Sequence, residues 1–380
     1  MSWEQIINQE KIKKFFQRIL PEAVLSNAYC FFGIEGVGKF ATALEIIKTA
    51  SCRNPVHKVG YIESCGSCSA CQSILNNKFS NVEYLFSLPA GKSVDKEEGS
   101  VFTSLSETVI EEINSKLKNK ILNPYTKFSI EGASQIRISQ IRELRKNLAL
   151  SNSLSGRKFV VIINADEMRT EAQNAFLKTL EEPRTDVTFF LLTARLEGLL
   201  PTILSRCQQI YFPPLSSEDI AIDLRKKYNL SEDEISIVTR FANGSLTRAY
   251  ELVEANLKEK RNKMVDILRI ALKKELYGHQ LSEMVNKLTE GIDKKMARTC
   301  LQLLSSWLRD AMIISTSSSR NLIVNADDND ALERFSKKFV KENFSRVFEI
   351  IEECDHMIFS NVQIQNVFLN LYLEIRNILL

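Results

Sequence analysis

The chain has 380 residues, 44% of them hydrophobic, with 50 basic and 47 acidic side chains and a net charge of +3. That length suggests two or three domains, and the near-balanced charge argues against strong autonomous nucleic-acid binding, which carries a pronounced basic footprint. No run approaches the ~18 consecutive apolar residues of a membrane span, and the start MSWEQIINQEK lacks a signal-peptide apolar region, so a cytoplasmic, membrane-free protein with reduced or metal-bound cysteines is expected. Gly and Pro are scarce, 13 and 8, which favours helices.

The first element is NAYCFFG, a short apolar strand, followed by FATALEIIKTA, a helix with apolar residues at helical spacing. Between them Gly33, Gly38 and Lys39 meet the phosphate-loop pattern G-x-x-x-x-G-K-[ST], and Gly36 adds a third glycine. In such a loop backbone N–H groups and a helix N-terminus face phosphate oxygens, the Lys reaches the terminal phosphates, and the Ser or Thr hydroxyl ligates Mg²⁺. Here Phe40 stands in the hydroxyl position and has no oxygen to give. The strand and helix on either side favour a phosphate cradle that has lost its metal ligand over a plain glycine turn, and ATP binding is in doubt.

Cys52, Cys65, Cys68 and Cys71 follow with the spacing C-x12-C-x2-C-x2-C. Four thiolates this close in a reducing compartment match a structural tetrahedral Zn²⁺ site, with no position left open for substrate. The C-x2-C-x2-C run also opens ferredoxin motifs, but the Cys-Pro that would complete one is absent. His57 is a candidate substitute ligand and otherwise a solvated loop residue. Cys30, Cys207, Cys300 and Cys354 are scattered and read as small buried residues.

The stretch LPAGKSVDKEEGS reads as a surface loop. SETVIEEINSKLKNKIL then predicts an inserted amphipathic helix, with Val109, Ile110, Ile113 and Leu117 on one face and its charged side solvated. RISQIRELRKNLAL predicts a helix with Ser139 as its N-cap. Phe159 to Ile163 is an apolar run expected of a strand buried on both faces of a parallel sheet. In phosphate-loop ATPases such a strand ends in an Asp that holds Mg²⁺. The aligned positions here are Asn164 and Ala165, with Asp166 and Glu167 two residues later, where a slipped register would be needed to use Asp166. NAFLKTLEEP packs Phe176, Leu177 and Leu180 and ends at Pro183, DVTFFLLTA predicts a third strand, and LLPTILSRCQQIYF brings Ser205, Arg206 and Cys207. The alternation of strands and helices implies an α/β domain with a mostly parallel sheet.

Beyond it, Ser216 before Glu218-Asp219 and Ser231 before Glu232-Asp233 signal two helix starts, and GSLTRAYEL a third helix. From about residue 260 the chain is a run of amphipathic helices, which suits a self-contained bundle or a subunit interface. The expected division is 1–212 for the nucleotide-binding-like domain, with a zinc module at about 52–75 and an inserted segment at about 76–128, then a helical lid at 213–258 and an all-α domain at 259–380.

NAYCFFGIEGVGK, the four-cysteine insert, ISQIRELRKNLAL, NAFLKTLEEP and LLPTILSRCQQIYF occur here in the order found in bacterial clamp-loader subunits of the DNA polymerase III holoenzyme, which are AAA+ proteins. The resemblance covers residues 1–250 and extends to the rest only in length and helical character. It implies an AAA+ domain with zinc insert, a lid and a collar that joins five subunits in a ring. Motor subunits of the gamma/tau type carry the Ser or Thr and the acidic strand end that this chain lacks. Subunits of the delta-prime type are similar to it in their eroded ATP sites and retained SRC motif. By this resemblance Arg206 is an arginine finger offered in trans to a neighbour's ATP, and Arg248 stands at the second nucleotide sensor. Read from the residues alone, Arg206 is a surface ion pair and Arg248 a structural arginine. The implied partners are motor subunits, delta, the sliding clamp and primed DNA. The alternatives are an ATP-hydrolysing motor subunit of the same ring and a stand-alone zinc-containing nucleic-acid-binding protein.

Overall fold

A computed structural model describes residues 2–22, 24–89, 105–150, 156–182, 185–273, 278–316, 323–340 and 342–380. Pro183 and most of the turn-rich stretch, 90–100, lie outside the described residues. The chain divides into two compact units, residues 1–220 with 243–250, and residues 221–242 with 251–380.

The first unit holds seven strands: β1 (Ala28–Phe32), β2 (Val56–Lys58), β3 (Tyr61–Glu63), β4 (Val82–Leu85), β5 (Lys158–Ile163), β6 (Val187–Thr193) and β7 (Gln208–Tyr211). Five form one sheet in the order β4-β5-β6-β1-β7, and every adjacent pair is parallel. Parallel neighbours need crossovers, which the helices provide. Helix α1 (Glu10–Ile19) precedes β1, and the connecting helices are α2 (Lys39–Ser51), α3 (Ser69–Leu75), α4 (Glu107–Leu122), α5 (Ile138–Leu150), α6 (Thr170–Glu181) and the short α7 (Pro201–Leu204). β5 and β6 are buried along their whole length, as continuous apolar runs require between two helical layers. One face packs Phe189 and Leu191 against Leu144, Phe176 and Ile203. The other gathers an aromatic cluster of Phe16, Tyr29, Phe31 and Phe190. β2 and β3 form a separate antiparallel hairpin beside the cysteines.

Helix α5 starts at Ile138, which places Ser139 inside its first turn and not at the cap. Gln140 closes that end by accepting from the Arg137 N–H at 2.9 Å. The next starts are as expected. α8 (Ser217–Lys227) and α9 (Glu232–Ala242) follow reciprocal capping boxes, Ser216 with Asp219 and Ser231 with Glu234. α10 (Leu246–Glu254) is the third helix.

The remaining helices are α11 (Leu257–Ala271), α12 (Gly278–Thr289), α13 (Lys294–Thr316), α14 (Asn329–Phe339), α15 (Arg346–Phe359) and α16 (Ile364–Leu379). Their apolar faces share a core that includes Trp307, Phe335 and Tyr372. Two buried charges are fully paired within it. Arg261 makes two 2.7 Å bonds to Asp327. Asp310 accepts from the N–H groups of Val324 and Asn325 at 2.9 and 2.8 Å. Cys30, Cys207, Cys300 and Cys354 are buried single thiols. Among the described residues no helix is long and apolar enough to cross a membrane.

Candidate nucleotide cradle, cysteine cluster and Arg206

The glycine loop leaves the carboxyl end of β1 and enters α2, with Gly36 and Gly38 at φ +81° and +102°. A side chain at Gly36 would put its Cβ 2.5 Å from the backbone nitrogen of Thr247 and 2.6 Å from Ser245 Oγ. Leu246 N–H donates to the Gly36 carbonyl at 3.2 Å. The segment carrying Arg248 is therefore packed directly on the loop. The Arg248 N–H itself donates to Ser245 Oγ at 3.1 Å.

Lys39 turns its ammonium back onto its own loop, donating to the Gly33 carbonyl and, at 2.7 Å, to that of Ile34. Enclosure pulls its pKa down to about 8, helped by Lys120 nearby and opposed by Glu35 and Asp166. Phe40, in the hydroxyl position, belongs to the core. Its ring lies 6.1 Å from that of Tyr84, and Lys120 Nζ sits 5.5 Å from its centroid.

Lys120 corrects the expectation that the charged side of the inserted helix is solvated. It is buried, donates to the Thr126 carbonyl at 2.6 Å, and has its pKa lowered to about 8 by burial. Tyr125 of the same insert accepts from the Ile7 N–H at 2.9 Å, and its hydroxyl would meet a Cβ on Gly38 at 3.1 Å. Thr247 donates its hydroxyl to the Tyr125 carbonyl. The insert thus lies against the loop. Sequence reasoning missed both residues, because a Lys at helical spacing carries no signal of burial.

At the end of β5, Asn164 adopts the left-handed conformation, φ +53°, and opens a single turn, Ala165–Glu167. Its amide donates to Glu167 Oε1 at 3.1 Å, and Ser87 bonds the other Glu167 oxygen. Asp166 accepts from Thr193 Oγ1 at 2.8 Å and from Arg195 Nε at 2.9 Å. Both carboxylates beyond Asn164 are committed to protein partners.

Arg206 follows α7 and precedes β7. Its fork donates to the Thr202 carbonyl at 2.9 Å and to Glu181 Oε1 at 3.0 Å. β7 runs parallel to β1 with Gln208 opposite Tyr29. Gly33 is four residues beyond Tyr29, so by strand rise the loop lies about 13 Å further along the sheet. Arg206 therefore occupies the amino edge of the strands and the home loop the carboxyl edge.

The sulfurs of Cys52, Cys65, Cys68 and Cys71 all lie within 4.8 Å of one another. Tetrahedral zinc with ~2.3 Å Zn–S bonds requires sulfurs about 3.8 Å apart, and Cys52 and Cys68 are 3.9 Å apart. Backbone N–H groups point at sulfur, Cys65 N to Cys52 at 3.2 Å and Cys68 N to Cys65 at 3.3 Å. Such donors lower the pKa of Cys65 and Cys68, the latter to about 6, while burial raises those of Cys52 and Cys71. The cluster is compatible with zinc. His57 is on exposed β2 and is not one of the clustered ligands. Ser64, beside the cluster, donates at 2.9 Å to Glu45, whose buried carboxylate also takes Lys48 at 2.9 Å, so the module is fastened to α2.

The family described as DNA polymerase III, delta subunit, matches residues 8–216, and its C-terminal counterpart matches residues 256–375. DNA polymerase III subunit delta' of Bacillus subtilis is 23% identical over 379 residues, 99% of each chain. Subunit tau of the same organism is 25% identical over 313 residues, and this chain spans 46% of that relative's length. Subunit delta' of Escherichia coli is 32% identical over 132 residues, 35% of this chain and 40% of that one. A gamma subunit-related protein from Thermotoga maritima overlaps 98% of this chain and 99% of its own at 15% identity, with a TM-score of 0.39 that is too low to argue from. Family match, parallel sheet and all-helical carboxyl part agree: the chain belongs to the DNA polymerase III delta-subunit family, as a bacterial clamp-loader AAA+ protein of the delta-prime type.

Proposed function

We propose that this chain is a catalytically silent clamp-loader subunit that supplies Arg206 in trans to ATP on a neighbouring motor subunit. In this reading it works in the cytoplasm in a hetero-pentamer with motor subunits and delta, which opens the sliding clamp and loads it on primed DNA. The observation that supports the reading is a phosphate loop without its hydroxyl and acidic strand end, together with an exposed arginine at the opposite edge of the strands. Phe40 is core, Lys39 is tied to its own loop, Asn164 ends β5, and Arg206 precedes Gln208 at the amino edge, while Gly33 lies about 13 Å beyond the Tyr29–Gln208 pair at the carboxyl edge. A guanidinium beside a γ-phosphate stabilises charge in phosphoryl transfer and is worth about 10³–10⁵ in rate in GTPases.

The four cysteines are assigned one structural zinc, and Arg248 a place in the nucleotide cradle. The lid at 213–258 and collar at 259–380 are proposed as separate parts, although 221–242 and 251–380 fall in one compact unit; the capping boxes at Ser216 and Ser231 support only the helix starts of the lid. The test is ATP turnover by the purified chain beside its Lys39→Ala variant. Equal, background rates are expected. Sustained turnover that Lys39→Ala abolishes would make the chain a motor subunit instead.

A further inference from the structure

The second unit contains an open groove of about 640 Å³ between α9, α13 and α15. Its polar groups are unmatched. Arg240 on α9 has no hydrogen-bond or ion-pair partner among the described residues. Arg309 on α13 spends one nitrogen on Asp310, at 2.9 Å, while its buried Nε–H has no partner. Ser306 Oγ, one turn away on the same helix, is also buried without a partner. Asp310 is ion-paired with Arg309, and its other oxygen accepts from Val324 and Asn325, so it offsets only part of the positive charge of the two arginines. Enclosure and the nearby Arg309 disfavour charge on Arg240, while Asp310 favours it.

A buried N–H donor left unmade costs about 1–3 kcal/mol, and the unpaired Arg240 guanidinium beside the open Nε–H of Arg309 favours an anion in the groove. The rest of the lining restricts which anion. Phe348 and Met312 offer apolar surface. On α15, Asp355 is consumed by a bidentate pair with Arg298 at 2.6 and 2.7 Å, while Glu352 at the groove has no hydrogen-bond or ion-pair partner among the described residues. Glu352 opposes every anion near it, which disfavours a multiply charged polyphosphate more than a single carboxylate, and a polyphosphate backbone would gain nothing from the apolar wall.

We propose that this groove docks a segment of a partner protein in which a carboxylate, set between large apolar side chains, is received by Arg240, Arg309 and Ser306. The charge complementarity comes from the two arginines and the apolar seat from Phe348 and Met312.

The test uses the full chain and a fluorescein-labelled twelve-residue peptide with Asp and Glu alternating among Leu and Phe. Its Asn/Gln twin and a single-stranded oligonucleotide serve as comparisons. Saturable binding of the acidic peptide is expected by fluorescence polarisation, at least about tenfold tighter than its neutral twin, since charge-assisted bonds are worth about 1.5–3 kcal/mol. Arg309→Gln and Arg240→Gln should each weaken it about tenfold or more. Arg240 is exposed, so its variant decides the matter should Arg309→Gln fail to fold. Equal binding of the two peptides, no saturable binding, binding unchanged in Arg240→Gln, or displacement by the oligonucleotide would each overturn the proposal.

Discussion

Arg206 Nη2 lies 3.0 Å from Glu181 Oε1, joining the second residue after α7 to the last residue of α6. Both side chains are substantially exposed, so the pair contributes at most about 1 kcal/mol to stability. If Arg206 serves a neighbour's ATP, Glu181 only parks it. In a reconstituted ring Arg206→Ala should assemble normally yet lose about the share of one motor site in DNA-dependent ATP turnover. Arg206→Lys should not rescue, because a point charge does not reproduce the planar fork. Glu181→Gln should leave turnover within about twofold of wild type, since it removes only a weak surface pair. Equal losses in Arg206→Ala and Glu181→Gln would make the pair merely structural.

The cysteine cluster should hold about one zinc per chain. Metal analysis of Cys68→Ser should show most of it lost, and the thermal midpoint should fall, because a structural metal contributes directly to folding. Iron in the wild-type protein, or zinc unchanged in the variant, contradicts the assignment.

Lys120 gives the protein a pH signature. Its folded pKa of about 8 lies below the ordinary lysine value of 10.5. Between those values the unfolded chain binds more protons than the folded one, so stability rises with pH across that window. Replacing the buried charge by Lys120→Met should stabilise the protein at pH 7 by on the order of 2–3 kcal/mol. The advantage should shrink steadily between pH 8 and 10 in denaturant titrations. A gap independent of pH would mean that the ammonium is solvated.

What the sequence disclosed and what it hid follow from the range of the interactions. β1, β5 and β6 are legible because apolar runs with no alternation suit only strands covered on both sides. The helix starts at Ser216 and Ser231 are legible because a capping box is complete within four residues. The cysteines are legible because ligand spacing is itself the signal. Lys120 on Phe40, Tyr125 beside Gly38 and Glu181 on Arg206 are illegible, since each joins residues 25 or more apart through a particular crossover. The unmatched arginines of α9 and α13 are hidden for the same reason, as an unpaired guanidinium looks like any surface arginine in sequence.

The glycine-loop cradle makes the last prediction. Three defects are present together: Phe40 for a hydroxyl, Asn164 for an acidic strand end, and Lys39 bound to the carbonyls of Gly33 and Ile34. Phe40→Thr restores only the first. It also removes a buried ring from Tyr84 and Lys120, a loss of the kind that costs about 3–5 kcal/mol when Phe becomes Ala. The variant should therefore melt earlier than wild type and still show no ATP turnover. Adding Asn164→Asp supplies the second ligand at the end of β5, where Mg²⁺ would neutralise developing phosphate charge. Mg²⁺-dependent nucleotide binding should appear in the double variant first, by equilibrium dialysis with and without the metal. Turnover in Phe40→Thr alone would show that a single missing hydroxyl silences the site, and that neither Asn164 nor the tethered Lys39 has any part in it.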